Sequence, residues 1–134
     1  MLISVYALLW GALTVFGQAP EQTVTWNIKT EYGNDGEVEV IFEGTPLEGW
    51  HTYSITDAAN GNTITFEENA ALTATGDITE DGNVIDENGS RVIYDSFTIR
   101  RRFRMNAETA VLKGEISWKS CKGHNCASPE YQDF

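Results

Sequence analysis

The sequence predicts an all-β fold: an immunoglobulin-like antiparallel β-sandwich that ends in a hairpin with both cysteines. Apolar and polar residues alternate along most of the chain, which is typical of half-buried strands. Helical periodicity is nearly absent, and only Asp57–Asn60 or Glu67–Leu72 is compatible with a helical turn. Seven or so short strands separated by turn residues, within about 115 residues, form the usual pattern of such a sandwich.

The first hairpin is predicted from two alternating runs and the turn between them. Every second residue is apolar in 23–29, beginning at Val24, and in 37–43, beginning at Val38. Between these runs, Tyr32–Gly36 contains the Gly and Asn residues that tolerate positive φ in hairpin turns. We therefore expect two antiparallel strands, each with one face in the core.

The remaining strands are predicted from shorter apolar runs. They are Trp50–Ile55, Thr63–Phe66, Val92–Met105 with a bend or break near Ser96, Val111–Trp118 and a last short one at Glu130–Phe134. The inter-sheet disulfide of antibody domains is not expected, because both cysteines lie close together near the C-terminus.

The N-terminus predicts export. Residues 1–18 read as a signal peptide, because the apolar run Leu2–Phe16 is short for a membrane span and small residues and a polar domain follow it. An uncleaved anchor is the alternative. Residues 19–134 then form one domain in the periplasm, with no membrane insertion after signal cleavage. Its net charge of −11 argues against nucleic acid as a partner.

Cys121 and Cys126 are the only cysteines of the chain. A bridge between them closes a loop of six residues and would stabilise the fold by only about 2 kcal/mol in the chain-entropy estimate. This small gain favours reversible thiol–disulfide exchange over a purely structural staple. Two alternatives stay open: a binding sandwich whose bridge only rigidifies the hairpin, and a copper or zinc site at Cys121, His124 and Cys126.

The residues around the cysteines predict a reactive hairpin. Lys122–Asn125 fits a hairpin loop that places the cysteines opposite each other, with Cα atoms about 4.5–5.5 Å apart. Strand parity, counted from Ile116 and Trp118, places Cys121 near the surface. Three cationic or potentially cationic side chains close to the cysteines would stabilise the thiolate that attacks in exchange, namely Lys119, Lys122 and His124.

Two segments resemble the N-terminal periplasmic (alpha) domain of DsbD, the bacterial thiol:disulfide interchange protein. Gly114–Pro129 (GEISWKSCKGHNCASP) is similar to the closing hairpin of that family, in which a strand, a cysteine, a short loop and a second cysteine precede Pro-rich sequence. Gly49–Ser54 (GWHTYS) resembles the family's Gly-Trp-His-x-Tyr-Ser segment. Strand order and length also agree, over roughly residues 23–134.

The resemblance implies an immunoglobulin-like fold whose hairpin disulfide passes electrons without a cofactor. The donor would be a thioredoxin-like protein or a membrane thiol reductase, and the acceptors would be oxidised periplasmic proteins. By the same resemblance, Cys126 would exchange with partners and Cys121 would resolve the mixed disulfide. His51 and Tyr53 match positions beside the family's disulfide.

A cap loop with an Asp-Glu-aromatic sequence shields the disulfide in family members. Here Asp86 and Glu87 match the acidic pair, but Asn88 stands at the position of the aromatic residue. Either the cap is absent, or another group such as Tyr94 takes its place.

Overall fold

The computed structural model describes residues 22–134, so the predicted signal peptide, residues 1–18, lies outside the described residues. Within 22–134 the chain forms β-strands and no helix, and therefore no helix that could cross a membrane. The strands are β1 (Val24–Tyr32), β2 (Glu37–Pro46), β3 (His51–Tyr53), β4 (Thr63–Phe66), β5 (Leu72–Ala74), β6 (Thr79–Asp81), β7 (Val84–Glu87), β8 (Ser90–Ile93), β9 (Phe97–Met105), β10 (Gly114–Trp118), β11 (Ser120–Lys122), β12 (Asn125–Cys126) and β13 (Glu130–Asp133).

The strands form an antiparallel sandwich, as the sequence predicts. One layer is a sheet with the order β1-β2-β9-β5, in which β6 also pairs with β9. The other layer consists of a sheet with the order β13-β10-β4 and a sheet with the order β12-β11-β3-β8-β7. The chain crosses between these two sheets at Lys119, where β10 ends and β11 begins. This crossing positions the cysteine hairpin at the end of the second layer.

The core lies between the two layers. The long sheet contributes alternate residues of β1, β2 and β9, while β8 and β10 contribute from the opposite layer, so the core contains side chains from both sides. Its buried members are Val24, Val38, Val40, Phe42, Ile93, Phe97, Ile99, Phe103, Ile116 and Trp118. The parity predicted for the first two strands is confirmed, because Val24 and Val38 belong to this core.

The predicted strands are confirmed with altered bounds: β1 and β2 extend further than predicted, β4 matches, and β3, β10 and β13 are shorter. The predicted run Val92–Met105 is broken near Ser96, since β8 ends at Ile93 and β9 begins at Phe97. The turn at Tyr32–Gly36 is also confirmed, and its Asp35 and Gly36 adopt positive φ. The segment Glu67–Leu72 forms a turn, closed by the Leu72 N–H and the Asn69 carbonyl at 3.1 Å, but no helix, and β5 begins at Leu72. The strands β5, β6 and β7 were not predicted, because each has only three or four residues and little alternation.

Candidate functional site

The two cysteines face each other across the hairpin of β11 and β12 and are joined by a disulfide bond. Lys122 pairs with Asn125, so the turn between the strands has two central residues, and Gly123 occupies the first with a φ of 59°. Positive φ at the first central position is the pattern of a type II′ hairpin turn, which favours Gly. The sequence Lys122–Asn125 therefore sets the register that brings the sulfurs together.

The Cα atoms of Cys121 and Cys126 lie 3.9 Å apart, closer than the separation we expect from the sequence. The hydrogen-bonding pattern accounts for a close approach. The Ala127 N–H donates to the Ser120 carbonyl, at 2.9 Å, so the neighbouring cysteine pair is a non-hydrogen-bonded pair. In antiparallel sheets the Cα atoms of such pairs approach each other most closely.

The disulfide lies at the open edge of its sheet and on the outer face. The strand β12 is the edge strand, so no other strand of this sheet covers Cys126 on its far side. Cys121 pairs with His51 on β3, and the β3–β8 register continued by one residue places Tyr94 opposite His51. Paired side chains share a face, and the alternate residue Ile93 points into the core, so this row faces outward.

The two sulfurs differ in exposure. Cys126 is exposed, whereas Cys121 is only 4% exposed, so the expectation that Cys121 lies near the surface is wrong. The strand breaks at Lys119 without a change of parity, because Ser120 pairs with Thr52 on the core side and Cys121 pairs with His51 on the outer face. Cys121 is nevertheless buried, since Tyr53 and Val92 pack against it on that face. The Thr52 hydroxyl donates to the carbonyl of Lys119, at 2.8 Å, and thereby satisfies the backbone at this break.

Tyr53 touches the buried sulfur. Its hydroxyl lies 3.4 Å from Cys121 Sγ and is the donor of this contact, because a disulfide sulfur has no hydrogen. Burial raises the pKa of Tyr53 above its ordinary value, and the charges of Asp57 and Glu87 raise it further. The hydroxyl therefore remains protonated at neutral pH and can donate a hydrogen bond to a thiolate formed at Cys121.

His51 lies between two tyrosine rings. Its ring centroid is 5.6 Å from that of Tyr53 and 5.1 Å from that of Tyr94. Burial lowers the pKa of His51, and the nearby Glu87 carboxylate opposes this effect only in part. A buried imidazole with a lowered pKa is neutral at neutral pH, so His51 adds no positive charge beside Cys121 under these conditions.

The acidic pair that matches the family's cap loop forms a tight hairpin. Asn88 and Gly89, both at positive φ, are the turn between β7 and β8, and Glu87 pairs with Ser90. Glu87 accepts a hydrogen bond from the Tyr94 hydroxyl, at 2.7 Å, and this bond raises the pKa of Tyr94.

Asp86, by contrast, is exposed and pairs across the hairpin with Arg91, away from the disulfide. From the sequence, Tyr94 is only an alternative to the aromatic residue that the cap loop lacks. In the structure Tyr94 packs on His51 beside the disulfide, so it lies where that aromatic residue is expected.

The predicted cations lie around the hairpin rather than on the buried sulfur. Lys119 donates to Asn60 Oδ1, at 3.1 Å, in the loop that follows β3. The Lys122 side chain lies over Gly49, where its Cε would be 3.2 Å from an added Cβ. His124 is exposed in the turn. The side chain within hydrogen-bonding distance of Cys121 Sγ is instead that of Tyr53. The sequence predicts a position beside the disulfide for Tyr53 only through the family resemblance.

The possible metal ligands do not converge in this form of the protein. Both cysteine sulfurs are bonded to each other, and among residues 22–134 no three His, Cys, Asp or Glu side chains are grouped so that they could hold one metal ion.

No family model matches the sequence, and no curated protein matches it. Solved structures, however, have the same fold. The N-terminal periplasmic domain of ScsB from Proteus mirabilis aligns with a TM-score of 0.57 and 14% identity over 89% of this chain, which spans about half (49%) of that structure. The DsbD N-terminal domain of Neisseria meningitidis, solved in complex with the PilB N-terminal domain, aligns with a TM-score of 0.54 and 14% identity over 87% of this chain and 84% of that one.

The fold by itself does not select an activity. The GAE domain of yeast GGA1 aligns equally well, with a TM-score of 0.54 and 8% identity over 87% of this chain and 93% of that one. The functional argument therefore rests on the cysteine hairpin, and in its fold the chain is similar to the ScsB and DsbD N-terminal domains.

Proposed function

We propose that this domain is a periplasmic thiol:disulfide exchange module that relays electrons between a thioredoxin-like donor and oxidised exported proteins. A membrane thiol reductase would serve equally as the donor. The proposal rests on one observation: an exposed sulfur on an edge strand, Cys126, is bonded to a buried sulfur, Cys121, that a protonated tyrosine hydroxyl contacts. As an enzyme, the domain would be a thiol:disulfide oxidoreductase.

The asymmetry in exposure determines which sulfur reacts first. A thiolate of the reduced donor attacks Cys126 Sγ, the sulfur–sulfur bond breaks, and Cys121 leaves as a thiolate with the bonding electron pair. The donor's second thiolate then attacks its own sulfur in the mixed disulfide and releases Cys126. Two electrons and, after protonation, two protons have passed to the module, and the donor holds a disulfide.

The reduced module then transfers its two electrons to an oxidised acceptor through the same two cysteines. The Cys126 thiolate attacks a disulfide of the acceptor and forms a mixed disulfide, with one acceptor sulfur leaving as a thiolate. Cys121 then attacks Cys126 Sγ, which re-forms the bond between the two cysteines and releases the second acceptor thiolate. Because Cys121 is buried, its thiolate can attack Cys126 Sγ but not a sulfur of a partner.

Tyr53 stabilises the thiolate that leaves. Its hydroxyl is already within hydrogen-bonding reach of Cys121 Sγ in the oxidised form. Exchange is faster when the leaving thiolate is better stabilised. Since Lys119 donates to Asn60, we assign this role to the tyrosine rather than to the lysine.

The partners are proposed from the chemistry together with the fold. The DsbD N-terminal domain of Neisseria meningitidis was solved in complex with the PilB N-terminal domain, so a protein of this fold binds another protein domain. The ScsB domain of this fold is periplasmic. Both findings support a periplasmic location and a protein partner for this chain.

Trapping of the mixed disulfide tests the proposal. In Cys121→Ser the resolving thiolate of the module is absent. This variant, with Cys126 activated as a mixed disulfide with thionitrobenzoate, is mixed with a thioredoxin-like protein whose own resolving cysteine is replaced by serine. The partner's remaining thiolate should displace thionitrobenzoate, and a covalent adduct with Cys126 should accumulate on non-reducing gels. The matched control is Cys126→Ser, which keeps only the buried cysteine and should form little adduct. If both variants form adducts equally, or if neither does, the domain is better described as a binding sandwich with a structural bridge.

A further inference from the structure

Two strongly exposed tyrosines lie toward opposite ends of the sandwich. Tyr32 is 74% exposed and lies at the far end of β1, whereas Tyr131 is 61% exposed and follows the cysteine hairpin. The strand β2 runs between the two ends. Val38 pairs with Tyr32, and Pro46 lies eight residues further along β2, about 26 Å from Val38. Gly49, which touches Lys122 of the hairpin, comes three residues after Pro46. Tyr32 and Tyr131 are the two most exposed tyrosines among residues 22–134, well above Tyr94 at 38%, and they lie in contrasting positions.

Tyr131 lies within reach of any protein that attacks Cys126. It is five residues from Cys126, so their Cα atoms are at most about 17 Å apart, and Pro129 is at most about 11 Å away. A standard protein interface covers about 800 Å² on each partner, which corresponds to a disc of roughly 16 Å radius. An interface centred on Cys126 thus covers Pro129 and extends to about the position of Tyr131.

Pro129–Tyr131 forms a ridge between two grooves. The groove on one side has a volume of about 450 Å³ and is lined by Gln22, Thr23 and residues 127–131. The groove on the other side, of about 220 Å³, is lined by Asn60 and Lys119 among others. Between them lies the Tyr131 side chain, which is 61% exposed.

The backbone beneath this ridge is fixed. Glu130 pairs with Trp118 and Tyr131 pairs with Ser117 of β10. The carboxylate of Glu130 accepts hydrogen bonds from the backbone N–H and the hydroxyl of Thr23, so its charge is directed at the protein itself. A rigid, uncharged tyrosine on a fixed strand loses little conformational freedom on binding, and tyrosines of this kind are enriched among the residues that dominate interface energies.

We propose that the Pro129–Tyr131 ridge is the docking surface for the thioredoxin-like partner, and that the partner presents an uncharged, apolar surface beside its reactive cysteine to receive the Tyr131 ring. The inference rests on the proposed function, because the attack on Cys126 is what brings the partner to this side of the molecule. The far-end tyrosine, Tyr32, has no part in this contact.

The test compares two serine substitutions and two reductants. The oxidised wild type, Tyr131→Ser and the matched control Tyr32→Ser are each reduced by reduced thioredoxin and, separately, by dithiothreitol, and second-order rate constants are measured. We expect Tyr131→Ser to lower the thioredoxin rate constant at least tenfold and to leave the dithiothreitol rate constant within twofold of wild type. Tyr32→Ser should leave both rate constants within twofold, and Tyr131→Phe, which keeps the ring, should retain most of the thioredoxin rate.

The other outcomes separate this inference from the proposed function. A thioredoxin rate constant of Tyr131→Ser within twofold of wild type overturns the docking surface, as does an equal loss with both reductants, which would indicate a structural effect. If dithiothreitol reduces the wild type but thioredoxin does not, the docking proposal fails while the disulfide remains exchangeable. If neither reagent reduces the folded wild type, the proposed function itself fails.

Discussion

At the scale of single residues, the contact between the Tyr53 hydroxyl and Cys121 Sγ gives the sharpest prediction. Tyr53→Phe removes one donor and keeps the ring in the outer-face cluster with Val92 and Cys121. A hydrogen bond to a charged group contributes about 1.5–3 kcal/mol, so loss of the bond to the leaving thiolate should slow reduction by dithiothreitol roughly tenfold or more at neutral pH.

Tyr32→Phe, which removes a hydroxyl from the exposed tyrosine at the far end of the sandwich, is the control and should react as wild type. An unchanged reduction rate in Tyr53→Phe would show that the hydroxyl plays no part in stabilising the thiolate.

His51 gives a prediction about pH. Burial lowers the pKa of His51 in the folded protein, so between this lowered value and the ordinary value of about 6.5 the unfolded chain binds more protons than the folded one. Stability contributed by the neutral imidazole should therefore be lost as the pH falls below about 6.5.

The charged and titratable groups near the imidazole, Glu87, Tyr53 and Tyr94, remain in place when His51 is replaced. Urea unfolding at pH 7.5 and pH 5.0 should show that His51→Gln loses less stability than wild type over this interval. Equal losses would mean that the protonation of His51 is not linked to folding.

At this scale the sequence predicts which residues lie together but not all of their surroundings. The two cysteines, His51 and Tyr53 were named and lie together, whereas the burial of Cys121 was predicted wrongly. The error came from treating the outer face as exposed to solvent: Cys121 lies on that face, as the parity predicts, but Tyr53 and Val92, which are distant in sequence, pack against it there. The sulfur contact of Tyr53 depends on a register between β3 and β11 that spans almost 70 residues (68 between Tyr53 and Cys121).

At the scale of elements, the hairpin of β11 and β12 holds the disulfide in register. Gly123 has a φ of 59°, and an added Cβ there would meet no atom within 4 Å, so Gly123→Ala changes only the backbone preference. We expect a cost of about 1 kcal/mol in the hairpin. Because the strained hairpin holds the two thiols together less well, the reduction potential should become less negative by about 20 mV.

The matched control is Gly76→Ala, since Gly76 also has positive φ, at 90°, and open space around an added Cβ. It should destabilise the fold by a similar amount, about 1 kcal/mol, and leave the reduction potential unchanged. If both variants shift the potential equally, the hairpin turn has no special influence on the disulfide.

The elements also show where sequence patterns stop being informative. Long alternating runs such as β1 and β2 are predicted well, because nine or ten residues contain several repeats of the two-residue period. The short strands β5, β6 and β7 are defined by their pairing with β9 and β8 and not by their own residues. The Asp86–Gly89 segment was therefore interpreted by its resemblance to a cap loop, and its role as a type I′ hairpin emerged only from the backbone.

At the scale of the whole molecule, the disulfide is separate from the core that stabilises the fold. Cys121 belongs to a small outer cluster with Tyr53 and Val92, whereas the main core lies on the other face of the same sheet. The bond can therefore open and close without disturbing the packing between the two layers, as exchange requires.

Removal of the bridge tests this separation. In Cys121→Ala combined with Cys126→Ala, the loss should be about 2 kcal/mol, the value for a loop of six residues, with an unchanged circular dichroism spectrum. Trp118→Ala, which removes a buried core side chain, should cost more, about 3–5 kcal/mol. Unfolding of the double variant at room temperature would show instead that the fold depends on the disulfide.

The reduction potential of the Cys121–Cys126 pair is the most direct test of the proposed exchange. Equilibration of the native protein in buffers of defined thiol–disulfide ratio, with the thiols counted by alkylation and mass, gives this value. A bond that opens and closes as the protein works should have a potential near about −200 mV. A potential below about −300 mV would mark a permanent structural bridge and contradict the account.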